Sequence, residues 1–155
     1  MKKLLLTTVF AGLLGLNASA KVAEGQIYGD WKGACDGGEC AVIQIANDRN
    51  NQPLAQVVLM KSPDKKQTAF RVTVPLGVDL LAGMKVEIDQ EQLAVVPFQV
   101  CAEMGCMTFL PLENQILDKL RKGNRFRLTF AIAGSQKDEV ASFSLRGISE
   151  ALKNL

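Results

Sequence analysis

Met84-Lys85-Val86-Glu87-Ile88-Asp89 and Arg125-Phe126-Arg127-Leu128-Thr129-Phe130-Ala131-Ile132 alternate large apolar side chains with charged, polar or small ones. A period of two places successive side chains on opposite faces of an extended chain, so each stretch reads as a strand with one face in a core and one in water. The same reading extends outward to strand candidates at 27–35, 40–46, 54–61, 68–74, 93–101, 106–111 and 139–146. Turn-forming clusters punctuate them: Asp36-Gly37-Gly38, Asn50-Asn51-Gln52-Pro53, Ser62-Pro63-Asp64, Leu81-Ala82-Gly83 and Ala133-Gly134-Ser135. Eight or nine short strands without alternating helix crossovers predict an all-β, antiparallel two-sheet sandwich, with a small barrel as the competitor.

Two short helices are predicted beside the strands. In 113–122 the apolar residues Ile116, Leu117 and Leu120 share a face, and Gly123 stands where a helix stops. At the end of the chain Ile148, Ala151, Leu152 and Leu155 follow the i, i+3, i+4, i+7 pattern of an amphipathic helix laid on the sheet.

The chain has 155 residues, 48% hydrophobic and 22% charged, which fits one globular domain rather than a disordered or fibrous chain. Its 18 basic and 16 acidic side chains leave a formal charge of +2, too small a field for avid nucleic-acid binding. Histidine is absent, which removes Ser-His-Asp and Cys-His nucleophiles and His-ligated zinc. No phosphate loop, nucleophile elbow or calcium loop occurs, so no enzyme activity and no cofactor are predicted.

Residues 1–20 open on Lys2 and Lys3, run apolar from Leu4 to Leu16 and end in Ala18-Ser19-Ala20, the pattern of a secretory signal peptide cleaved between Ala20 and Lys21. Thirteen apolar residues at about 1.5 Å each cover roughly 20 Å, short of the ~30 Å a membrane span needs. The expected mature chain is a single disulfide-bonded domain, 21–155, without a transmembrane segment, periplasmic or secreted, and near zero net charge once Lys2 and Lys3 are gone.

Four cysteines form two Cys-x4-Cys pairs, Cys35 with Cys40 and Cys101 with Cys106, each flanking a four-residue loop between predicted strands. An exported chain favours disulfides. Facing residues of an antiparallel ladder lie about 4.5 to 5.5 Å apart, within disulfide reach, which prefers 35–40 and 101–106 over the two crossed connectivities without excluding them. Three chemical readings compete, of which a four-cysteine zinc ribbon is a poor match because its knuckles are spaced Cys-x2-Cys. The spacing and strand context are poor for a thiol oxidoreductase, whose Cys-x-x-Cys opens a helix. Cys101, Met104, Cys106 and Met107 gather soft sulfur suited to Cu(I), against the plainer account that one Met fills the core and the other lies on a loop. Trp31 reads as a core or rim aromatic, the pairs Asp36 with Glu39 and Asp30 with Asp36 as weak glycosidase candidates, and Arg121, Lys122, Arg125 and Arg127 as a solvated basic face.

Gly29-Asp30-Trp31 followed by Cys35 and Cys40, then Val96-Pro97-Phe98 leading to Cys101 and Met104-Gly105-Cys106, then Phe143-Ser144-Leu145-Arg146-Gly147 before a terminal helix, resemble the invasion-associated locus B family of bacterial exported proteins. The resemblance spans essentially the whole mature chain. It implies an immunoglobulin-like β-sandwich, an envelope location, no known enzyme activity and, for the namesake, a part in invasion of host cells. It supplies no catalytic or ligand-binding residues to carry over. The function expected is therefore a non-enzymatic exported protein serving host-cell invasion or envelope integrity, foremost an interaction module with a protein partner in the envelope or on a host cell, contacting it through loops 36–39 and 102–105 or an edge strand, with a purely structural envelope protein as a further reading. The alternative is a periplasmic thiol-redox or Cu(I)-handling protein.

Overall fold

The computed structural model describes residues 21–62 and 64–155, so the signal-peptide reading of residues 1–20 lies outside the described residues. Eleven strands and two helices follow in chain order: β1 Ile27–Tyr28, β2 Trp31–Asp36, β3 Glu39–Asn47, β4 Pro53–Lys61, β5 Thr68–Val74, β6 Met84–Ile88, β7 Glu91–Val96, β8 Val100–Ala102, β9 Gly105–Pro111, α1 Asn114–Lys122, β10 Arg125–Ala131, β11 Asp138–Ser144 and α2 Ile148–Asn154. All neighbouring strands pair antiparallel. They form one sheet in the order β1-β2-β3-β4-β5-β9-β8 and a second in the order β11-β10-β6-β7. The layering is that of an open immunoglobulin-like sandwich, and β1 to β5 run through the larger sheet as a meander.

The two alternating stretches pair with each other, Leu128 facing Val86 and Phe130 facing Met84, and their apolar sides are buried. Opposite them the inward residues of the larger sheet, among them Val57, Leu59, Phe70 and Val72, complete one hydrophobic cluster. Aromatic rings bridge the layers: Trp31 stacks on Phe70 at 5.9 Å, Phe70 meets Phe126 at 5.1 Å and Phe126 meets Phe143 at 6.0 Å.

Two predicted strands prove to be four. Residues 27–35 divide at Gly29-Asp30 into β1 and β2, and 93–101 divides at Pro97, after which the chain leaves the small sheet and β8 joins the edge of the large one. Proline donates no ladder hydrogen bond, which suits a change of sheet. Gly123 stops α1 as expected but in extended backbone (φ −79°), and its lack of a side chain answers crowding instead: a Cβ there would stand 2.8 Å from Ile88 Cγ2. Ile148 and Ala151 of α2 are buried, with Leu152 and Leu155 packed at the margin of the same cluster.

Candidate functional site

The two cysteine pairs close hairpins in the register their strands impose. Cys35 faces Cys40 across β2 and β3 with bonded sulfurs and Cα atoms 4.1 Å apart, and Cys101 faces Cys106 across β8 and β9 with Cα atoms 4.0 Å apart. The hairpins do not share a surface. Asp36-Gly37-Gly38-Glu39 lies where β4 ends and β5 begins, whereas Ala102-Glu103-Met104-Gly105 lies where β3 ends and β4 begins, at the opposite end of the sandwich. Each closed six-residue ring removes denatured-chain entropy worth about 2 kcal/mol in the chain-entropy model. Replacing Cys101 and Cys106 together by Ser is expected to lower unfolding free energy by about that amount in urea titration, with a similar loss for Cys35 and Cys40.

Soft sulfur is not assembled as a copper site here. The Cys101 and Cys106 sulfurs are bonded to each other, Met104 stands 80% exposed at the hairpin tip, and Met107 lies on the sheet face opposite Cys106. Among the described residues no group of three or more Cys, Asp or Glu converges as metal ligands.

Two of the three carboxylates read as glycosidase candidates, Glu39 and Asp30, have ion-pair partners. Glu39 reaches Lys65 at 3.7 Å, while Asp30 accepts from Arg146 through Nε at 3.1 Å and also through Nη2. The guanidinium of Arg146 holds the Asp30 carboxyl down to about 2, with Ser144 assisting. A depressed carboxyl contributes stability that is present above its unfolded pKa, near 4, and is lost as pH falls through its folded value near 2. Asp30→Asn is therefore expected to flatten the stability loss between about pH 4 and 2, measured by denaturant midpoints at successive pH values.

Around this ion pair the resemblance-bearing residues meet. Trp31, fully buried, donates its indole N–H to the Ser144 carbonyl at 3.0 Å. Gln44 works both ways, its Nε2 donating to the carbonyls of Ser144 (3.0 Å) and Asp30 (3.1 Å) while its Oε1 accepts from Ser144 N at 2.7 Å. Gly29 and Gly147, both at positive φ, let the β1–β2 turn and the start of α2 touch backbone to backbone: a Cβ on Gly29 would strike the Arg146 carbonyl and one on Gly147 the Tyr28 carbonyl. Gly-Asp-Trp and Ser-Leu-Arg-Gly are thus the two halves of one clasp joining the ends of the domain-forming chain. Gln44 was missed, although it sits between Val42 and Ala46 at an inward register position, the signal that marks a polar residue with a specific partner.

The model of the invasion-associated locus B protein family matches residues 30–155. The chain belongs to that family. Invasion protein B homologs of Brucella abortus, one from strain 2308 and one from biovar 1 strain 9-941, are each 21% identical over 160 residues, covering 97% of this chain and 92% of theirs. The crystal structure of invasion associated protein b from Bartonella henselae superposes with a TM-score of 0.68 at 21% identity, covering 82% of this chain and 92% of that one. The invasion-associated locus B sandwich is therefore the fold of this chain. Its basic run is spread over two elements: Arg121 pairs with Asp118 at 3.0 Å on α1, while Arg125 and Arg127 take the outward side of β10.

Proposed function

We propose that this invasion-associated locus B protein is an exported, non-enzymatic interaction module that binds a protein partner in the bacterial envelope or on a host cell. Export would proceed through the leader 1–20, with cleavage between Ala20 and Lys21, and would leave the oxidised sandwich as one domain. One observation carries the reading. The groups that chemistry would draw on are engaged in holding the fold: four cysteines in two bonds, Asp30 with Arg146, and Trp31 inside the core. The relatives are named as invasion proteins, which supports a role in contact rather than catalysis.

Because the two closed hairpins stand at opposite ends, they are separate contact candidates and separate tests. Envelope crosslinking of the parent, compared with variants in which residues 36–39 or 102–105 are exchanged for a two-residue turn, is expected to lose a partner in one variant. The proposal fails if both exchanges leave every crosslinked partner unchanged.

Thiol exchange is the second reading, favoured by the exposure of Cys101 beside a buried Cys106. An external thiolate would attack Cys101 Sγ and release the Cys106 thiolate. Reduction of the 101–106 bond by a glutathione buffer near −200 mV would support it, and resistance to that buffer would end it.

A further inference from the structure

The exposed apolar side chains are unevenly distributed. Among the described residues ten large ones stand exposed, and seven of them, Ile45, Leu76, Leu80, Leu81, Val95, Met104 and Val140, lie in the loops or strand ends on the side of the 102–105 hairpin. None lies in the turns or helices of the opposite end. Most prominent is Leu81, 99% exposed. Its loop, 75–83, is nonetheless built firmly. Val78 is buried and bridges to Ile132, Ala133 N donates to the Gly77 carbonyl at 2.8 Å, and Asp79 N donates to the Ala131 carbonyl at 2.9 Å. The Asp79 carboxylate accepts from the backbone of Leu81 (2.9 Å) and Ala82 (3.2 Å), so the tip is held in a turn that presents Leu81 to solvent.

Two shallow depressions lie at the same end of the sandwich, and the loop reaches one of them through Pro75. Pro75, at the start of the loop, lines a depression of about 340 Å³ together with Ile45, Leu54 and Met104. Leu54 also lines an adjoining depression of about 420 Å³ with Lys137 and Val140. On the far side Gly83 approaches the Val95 side chain. Charge then selects the occupant. The loops and strand starts here carry five acids, Asp48, Asp79, Glu103, Asp138 and Glu139, against three bases, Arg49, Lys85 and Lys137, a net negative end on a chain whose basic and acidic side chains nearly balance. An acidic surface is repelled by anionic lipid and by the same end of a second copy.

We infer that the loop end built from 75–83 and 102–105 is a docking surface on which Leu81, with Met104 beside the adjacent depression, inserts into an apolar groove rimmed by lysine and arginine on a partner protein. This rests on the interaction-module reading and deepens it. A rigid apolar anchor surrounded by acidic residues binds with little ordering cost and is steered by a basic rim.

The test places a photoreactive phenylalanine at position 81, 104 or 39 of the full chain in the native bacterium, followed by mass spectrometry of the adducts. Positions 81 and 104 are expected to capture the same protein, through a segment in which Lys or Arg flanks apolar residues, while 39 does not. Leu81→Asp should lower the yield at 104 about tenfold with no change in Tm, since the side chain touches nothing, and Glu103→Lys should lower it too. Adducts with a second copy, with lipid, or with an acidic segment overturn the inference. Capture from 39 alone overturns it while sparing the interaction module, and no adduct from any of the three positions removes both.

Discussion

Phe70→Ala is expected to cost about 3–5 kcal/mol of the roughly 5–15 kcal/mol that hold a domain folded. Phe70 is fully buried at the centre of the aromatic chain, stacked on Trp31 at 5.9 Å on one side and packed against Phe126 at 5.1 Å on the other. Trp31 belongs to β2 and Phe126 to β10, so removing the ring opens a cavity between the two sheets and not merely within one. Neither sheet can collapse into the gap without disturbing the other, which puts the cost at the upper part of the range. Urea unfolding should show the loss as a shift in midpoint at nearly constant slope, and the thermal midpoint should fall by roughly 10–20 °C. A loss under about 1 kcal/mol would mean that the sheets are not coupled through this ring. Phe70→Leu, which keeps most of the volume, is expected to be much milder.

Gly147→Ala is the second large effect, about 3 kcal/mol or more. Two costs combine at this position. An alanine at φ +91° sits in the left-handed region, worth about 1–2 kcal/mol, and its Cβ would overlap the Tyr28 carbonyl, which can move only by separating the β1–β2 turn from the start of α2. Gly134 supplies the comparison, since it has φ +77° but open space where a Cβ would go, so Gly134→Ala should show the conformational cost alone. Denaturant midpoints of the two variants separate the terms. Equal losses would show that the backbone contact between the two ends of the chain contributes nothing.

The half-buried strands were legible because period-two patterning is a local property: β6 and β10 could be read from six or eight residues each. What escaped were features that depend on residues far away in sequence. The β6–β7 hairpin turns at Asp89 and Gln90, both at positive φ, without glycine or proline to announce it. Asp89 is supported there by accepting from Asn124 N at 2.9 Å and Arg125 N at 2.9 Å, 35 and 36 residues on, and these bonds hold its carboxyl below the usual range. The split of 93–101 at Pro97 had a local signal, but which sheet each half joins is decided by pairing with β6 and β9. Likewise the two Cys-x4-Cys loops look equivalent in sequence and are placed at opposite ends by strand direction. For the docking surface, Leu81-Ala82-Gly83 reads correctly as a turn, but that the turn presents Leu81 to solvent follows only from the Asp79 carboxylate accepting from Leu81 N and Ala82 N.

Export, oxidation of both cysteine pairs and a structural role for the reactive groups stand or fall together. Non-reducing peptide mapping of the protein recovered from its native bacterium, alkylated before digestion, tests this most directly, because one spectrum reports the first residue and every cysteine. The expected chain begins at Lys21, with Cys35 linked to Cys40, Cys101 linked to Cys106 and no alkylated thiol. A chain retaining residues 1–20 with alkylated cysteines, or a crossed pairing such as 35 with 101, would contradict it.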